Sequence, residues 1–307
     1  MRSWCVLLAV VTAISSAVAD ETRHVLVIGI DGCRPDALAI AETPHLDALI
    51  RNGMYFDGTD IVSPDRKNPA NTVSGPGWSN LLCGVWPDKH GVVDNKFTEP
   101  KYDQFPHFFA RLKEARPDAK TASFSDWGPI KDNITRGGDL VVDFSVKDAK
   151  GPEAYERGDV ASTAACVELL GRENPACVVL YLGQVDENGH AYGFHPSVPP
   201  YRNAIERVDG HIGQVMAAIA KRPGAQSENW LVVVCTDHGG TGTDHGGGQK
   251  NYDIRRTFLI VSGNAAQKGR SEDATYQVDV VPTLLTHLGV ALKPEWGLDG
   301  KPVGLTK

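Results

Sequence analysis

Acidic and imidazole side chains follow directly on three apolar runs of the chain. The run at residues 24–30 ends in Asp31-Gly32, and the run at 177–182 leads into Asp186-Glu187-Asn188-Gly189-His190. The run at 230–235 leads into Asp237-His238-Gly239-Gly240, with His245 shortly after. Carboxylate and imidazole together suit Zn²⁺ and similar divalent ions. Each piece has a simpler reading. Asp before Gly after a strand is commonly a turn or a cap, and Asp186 with His190 makes an ordinary surface pair. Asp237-His238 is the stronger signal, because adjacent charged groups seldom follow a run like Leu231-Val232-Val233-Val234 without a use. His24, His45, His107, His211 and His287 lack such a setting and read as surface or packed residues.

A hydroxyl constellation lies at Ser74-Gly75-Pro76-Gly77-Trp78-Ser79-Asn80. Ser74 ends a polar stretch, residues 61–76, where a short helix can begin with Pro76 in its first turn. Composition favours Ser74 as the helix N-cap. The alternative is a nucleophile whose alkoxide is stabilised by the helix N-terminus and a metal ion.

These side chains need elements that bring them to one place. Short continuous apolar runs at 24–30, 177–182, 230–235 and 257–261 read as strands buried on both faces. Helical patterns lie at 43–52, 104–115, 160–171 and 201–219. Alternation of the two implies a three-layer α/β/α fold with a mostly parallel central sheet. Open parallel sheets bind ligands beyond the carboxyl ends of their strands, which is where the motifs fall. The long polar loop before Ser74 is of the functional kind.

Composition removes other classes. The chain has 307 residues, 41% hydrophobic and 22% charged, which excludes disorder. The net charge is −7 without a Lys/Arg block, so a nucleic-acid duplex is not an expected partner. Met1-Arg2-Ser3, the apolar run 6–14 and Ala17-Val18-Ala19 have the form of a signal peptide cut after Ala19. An uncleaved anchor is the alternative, but the run falls short of the roughly 20 residues of a membrane span. The expectation is one domain over residues 20–307, secreted or periplasmic, with no stable membrane span. Five cysteines then remain, Cys33, Cys83, Cys166, Cys177 and Cys235. They allow at most a sparse pairing, with Cys83 and Cys235 expected in the core.

The motifs resemble those of a known family. Ile30-Asp31-Gly32-Cys33-Arg34-Pro35-Asp36 is similar to the opening strand of the alkaline phosphatase superfamily, in its type I phosphodiesterase/nucleotide pyrophosphatase branch. Gly84-Val85-Trp86-Pro87-Asp88-Lys89-His90-Gly91-Val92 resembles the segment after that branch's nucleophile helix. Asp186 to His190 and Asp237-His238-Gly239 resemble its later metal motifs. Val278-Asp279-Val280-Val281-Pro282-Thr283-Leu284-Leu285 resembles the closing helix. The resemblance implies an alkaline-phosphatase-like fold and a hydrolase of phosphate esters or nucleotides with two zinc ions bridged by the nucleophile. It places Asp31, Ser74, Asp237 and His238 on one ion, and Asp186, His190 and a third imidazole on the other. It assigns Asn95 to a non-bridging phosphoryl oxygen. The branch commonly uses Thr as nucleophile; here the aligned residue is Ser74, with Thr72 nearby. The third imidazole is His245, in a Gly-rich loop able to fold back, in preference to His287, in an apolar helical pattern.

Rival readings remain. Sulfatases of the superfamily carry Cys or Ser, then Pro and Arg, whereas this chain has Ser74, Pro76 and Trp78. They also place a pair of Asp residues where this chain has Asp31-Gly32. A phosphomonoesterase or phosphonate hydrolase would use the same metals, and a non-catalytic secreted scaffold would keep only the fold. Trp78, Trp86, Phe97, Tyr192 and Phe194 flank the motifs, and each is either core packing or a surface on which a nucleobase stacks.

Overall fold

The computed structural model describes residues 22–306, so the signal-peptide reading of residues 1–19 lies outside them. Eight strands form one mixed sheet: β1 Thr22–Ile30, β2 Gly53–Asp60, β3 Thr121–Ser125, β4 Leu140–Asp143, β5 Cys177–Leu182, β6 Glu228–Cys235, β7 Arg256–Gly263 and β8 Gly269–Ser271. Their order is β4-β3-β5-β1-β6-β7-β2-β8. The run β4-β3-β5-β1-β6 is parallel throughout. β7 is antiparallel to both β6 and β2, and β8 runs parallel to β2 at the edge.

Ten α-helices accompany the sheet among the described residues. The first five are α1 Pro35–Leu38, α2 Pro44–Arg51, α3 Ser74–Cys83, α4 Pro87–His90 and α5 Phe108–Ala115. The others are α6 Pro152–Arg172, α7 Gln184–Tyr192, α8 Pro199–Ala220, α9 Tyr252–Arg255 and α10 Val280–His287. Side chains alternate across a strand, and β1 divides its own between two cores. Leu26, Ile28 and Ile30 join residues of α2, α6 and α8 on one face. Val25 and Val27 join residues of α3, α5 and α10 on the other. Helices therefore cover both faces, as the three-layer reading expects.

The expected strands and helices are present, with shifted ends. The helix expected at 104–115 begins at Phe108, just after Pro106, because a proline disfavours helix in the residue before it. The helix expected at 160–171 extends back to Pro152, whose fixed φ suits a first turn. The polar loop ends at Val73, and Pro76 lies inside α3. All five described cysteines are free and buried, so no pair among them is bridged.

Three buried histidines outside the carboxylate and imidazole groups that follow the strands are held neutral. Burial pushes His90 down to about 3 and His107 down to about 4, and it lowers His287 too. A histidine whose folded pKa is depressed stabilises the fold above its ordinary value near 6.5. That stability is lost as pH falls, because the unfolded chain takes the proton first. His90 and His107 should each cost about 1.4 kcal/mol per pH unit between pH 6.5 and 4. Urea midpoints at pH 7 and pH 4.5 measure this. Equal midpoints would show that neither ring is held neutral.

Candidate active site

The four parallel strands β3, β5, β1 and β6 point their carboxyl ends the same way, and an Asp follows each: Asp126, Asp186, Asp31 and Asp237. The last three form a centre with the histidines. Asp31, Asp237 and His238 bring their ligand atoms within 4.8 Å of one another, and so do Asp186, His190 and His245. His238 Nε2 lies 3.2 Å from Asp237 Oδ2 and 3.5 Å from Asp31 Oδ1. In the second cluster His190 Nε2 lies 3.3 Å from Asp186 Oδ2, and His245 Nε2 lies 3.6 Å from Asp186 Oδ1. The two clusters adjoin, with the rings of His238 and His245 stacked at 3.7 Å.

Local structure explains how the groups converge. Asp186 and His190 sit one turn apart on α7, a helix that the sequence did not signal. Gly32 adopts φ +65°, and a Cβ there would meet Asp186 Oδ1 at 2.6 Å, so only glycine lets α7 approach β1 this closely. Asp31 Oδ2 is fixed by Trp78 Nε1 at 2.9 Å and the Tyr181 hydroxyl at 2.6 Å. Asp237 Oδ1 accepts the Gly32 amide at 3.2 Å.

The hydrogen bonds decide what each imidazole offers. His238 Nδ1 donates to Gly239 O at 2.9 Å, His190 Nδ1 to Thr243 O at 2.9 Å, and His245 Nδ1 to Thr72 O at 2.8 Å. A carbonyl only accepts, so each Nδ1 carries a proton and each neutral ring turns an Nε2 lone pair inward. His190 Nε2 and His245 Nε2 stand 3.0 Å apart. Among the described residues, Asp31 Oδ1, Asp186 Oδ1 and Asp237 Oδ2 are buried without a hydrogen-bond partner. Lone pairs so converged require protons or cations between them. The residues therefore fit two divalent cations, one per cluster.

Without cations, protons must stand in, and the electrostatics say where. The hydrogen bond to Asp186 pushes His190 up to about 9. Burial, then the charge of Asp186, raises Asp31. Burial, then Asp31 and Asp186, holds Asp237 well above the usual carboxylate range. Burial and the neighbouring His238 push His245 down to about 4.

Ser74 opens α3, and its Oγ lies 3.5 Å from His238 Nε2. It is not the helix cap that its composition suggested. Val73 holds that position, and no side chain caps the helix. Thr72 also lies beside the cluster, but its hydroxyl donates to His245 O and accepts the Gly248 amide. Asn95 Oδ1 accepts the amide of Gly75, next to Ser74, at 2.7 Å, which leaves its NH₂ to donate outward.

Residues 25–138 and 142–266 match the type I phosphodiesterase/nucleotide pyrophosphatase family. The chain belongs to that family. Curated relatives include human ectonucleotide pyrophosphatase/phosphodiesterase family member 1, 25% identical over 71% of this chain and 24% of its own. The mouse family member 7 is 26% identical over 77% of this chain and 54% of its own. The chain thus spans about a quarter to a half of these relatives' lengths. Among solved structures, murine ectonucleotide pyrophosphatase/phosphodiesterase 5 superposes with a TM-score of 0.65 at 16% identity, covering 88% of this chain and 96% of its own. A 2-O GAG sulfatase superposes at 0.70 with 15% identity, over 92% and 73%. These likenesses show an alkaline-phosphatase-like fold.

In this type I phosphodiesterase/nucleotide pyrophosphatase chain, the sequence gives no role to several residues that hold the centre. Buried Arg34 donates to Phe194 O and Gly240 O at 3.1 and 2.8 Å, and pairs with Asp36 at 2.7 Å. It thereby clamps the Gly-rich loop that bears His245. Phe194 packs edge-on against both His190 and His245. Trp78, Trp86 and Phe194 are core residues, whereas Tyr192 is 56% exposed. Phe97 packs against Trp127 and approaches Gly75. His287 bonds the carbonyls of His24 and Asn229 and has no place in the centre.

Proposed function

We propose that the chain is a metal-dependent phosphodiesterase/nucleotide pyrophosphatase acting through Ser74. One observation carries this reading: a hydroxyl at a buried helix start faces a carboxylate–imidazole cluster, 3.5 Å from His238 Nε2. Asp31, Ser74, Asp237 and His238 would hold one ion, zinc by their donor chemistry; Asp186, His190 and His245 would hold the other. Two such ions lower the pKa of a bound hydroxyl or water and neutralise charge on phosphoryl oxygens. Ser74 Oγ attacks phosphorus, and the bond from phosphorus to the departing alcohol breaks. Water then cleaves the phosphoseryl ester and frees Ser74. Asn95 Nδ2 donates to a non-bridging oxygen, a contact that strengthens as charge develops there.

Small phosphate esters or nucleotides are the proposed substrates. The names of the relatives support this, and so does the AMP complex solved for a variant of the murine neighbour. The net charge of −7 does not oppose it, because two bound cations reverse the local sign. The fold is shared with sulfatases, but Trp78 stands where their pattern requires Arg. A phosphomonoesterase or phosphonate hydrolase is the second reading within the same chemistry. Residues 20–307 are taken as one hydrolase domain. Secretion is proposed from the N-terminal pattern, and no helix among the described residues is long and apolar enough to cross a membrane.

Zinc-loaded protein should be assayed on nitrophenyl phosphodiester, phosphomonoester, phosphonate and sulfate. The diester is expected to be turned over fastest. Faster sulfate or monoester hydrolysis would replace this reading, and inactivity on all four would favour the scaffold.

A further inference from the structure

We propose that Gln277 is a positioning residue that ties the Asp237–His238 turn to the helix bearing Ser74. Gln277 lies in a short 3-10 turn, Gln277–Asp279, just before α10. Its Nε2 donates to Asp237 O at 2.6 Å and to Thr236 O at 3.3 Å. Its Oε1 accepts from Asn80 Nδ2 at 3.0 Å. Asn80 lies on α3, within two turns of Ser74. Its own Oδ1 accepts from His90 Nε2 at 2.9 Å, and His90 Nδ1 accepts the Val92 amide at 3.1 Å. His90, Asn80 and Gln277 are all at most 2% exposed.

The direction of every bond in this chain is fixed. A main-chain amide only donates, so His90 Nδ1 is the acceptor and Nε2 carries the proton. That proton fixes the Asn80 oxygen toward His90 and its NH₂ toward Gln277. The Gln277 oxygen then faces Asn80, and its NH₂ faces the two carbonyls, which only accept. Reversing any link would set donor against donor or acceptor against acceptor. A second contact joins the same two elements, since a Cβ on Gly77 would meet Asp237 Cβ at 2.8 Å. Thus α3 and the β6 turn are held together at two points, and the polar one requires Gln277.

A buried chain of this kind could simply satisfy its own polar groups. The placement argues for more, because the carbonyl it grips belongs to Asp237, the residue whose carboxylate faces the cluster. Groups that orient metal ligands typically contribute 10–100-fold to metal affinity or activity. The inference rests on the assignment of Asp31, Asp237 and His238 to one ion.

The test measures zinc affinity by competition with a chromophoric chelator, kcat and KM on a nitrophenyl phosphodiester, and the melting temperature of zinc-free protein. Gln277→Leu is expected to weaken one of two zinc equivalents at least tenfold and to lower kcat roughly 10–100-fold with KM little changed. Leu112→Ala, a truncation on α5 in the core, is the control for lost stability alone and is expected to keep both zinc equivalents. If Gln277→Leu does not fold, Asn80→Ser cuts the same chain from its other end. The proposal is overturned if these variants bind zinc and turn over like wild type, or lose no more than Leu112→Ala does. Wild type that binds no zinc would overturn the ligand assignment, and the tether with it.

Discussion

Ser74→Ala is expected to lower kcat on a nitrophenyl phosphodiester by about 10⁴-fold or more, with two metal equivalents per chain retained. Removing the nucleophile of a cooperating set costs on the order of 10⁴–10⁶ in turnover. The metal should stay, because the carboxylates and imidazoles of both clusters are untouched by the change. Stability should change little, since Ser74 Oγ caps no helix end and its one hydrogen-bond partner among the described residues is His238 Nε2 at 3.5 Å. Thr72→Val provides the contrast. It removes the bonds to His245 O and Gly248 N, so it should weaken metal binding first and turnover as a consequence. If Ser74→Ala retained activity while Thr72→Val lost it with metal intact, the nucleophile would be Thr72.

Metal removal should have the second large effect. Chelation followed by dialysis is expected to abolish activity and lower the melting temperature by roughly 10 °C, both restored by Zn²⁺. An ion present at a thousand times its dissociation constant stabilises by about 4 kcal/mol, and each kcal/mol moves the midpoint of a chain this size by about 2–4 °C. Among the described residues, three carboxylate oxygens have no hydrogen-bond partner, and three Nε2 atoms face inward beside them, that of His238 also meeting Ser74 Oγ. Protons replace the ions in part, as the raised pKa values of Asp31, Asp237 and His190 indicate. Zinc uptake should therefore release protons, which an unbuffered indicator reads directly. A melting temperature that ignores both chelation and zinc would remove the clusters from the list of metal sites.

The parts legible in the sequence are those with a periodic or positional signal. β1, β5 and β6 are continuous apolar runs, so their ends, and with them Asp31 and Asp237-His238, could be placed in order along one sheet edge. A Gly-rich loop can fold back, which favours His245 over His287, and His287 lies near β1 and β6 residues at the opposite end of the strands. β3 and β4 were not legible. The sequence of β3, Thr-Ala-Ser-Phe-Ser, is polar at alternate positions, yet all five residues are buried. Its Thr121 and Ser123 satisfy themselves against Asp139 and Thr135, partners 12 to 18 residues away that no local pattern announces. The same reason hid the roles of Arg34, Asn80 and Gln277. A buried polar residue looks like a surface one until its partner is known. Ser74 shows the converse error, since a residue that suits a helix cap in composition sits one place past it.

The orientation of the three histidines has a consequence for how such a centre endures. Each ring is steered by a main-chain carbonyl, from Gly239, Thr243 or Thr72. A point mutation can delete an imidazole, but it leaves in place the oxygen that orients it, whatever side chain follows. The substituents around the centre can therefore drift through many generations without turning a ring. An engineer grafting new loops onto this chain inherits the same tolerance, so long as the path of the main chain is kept.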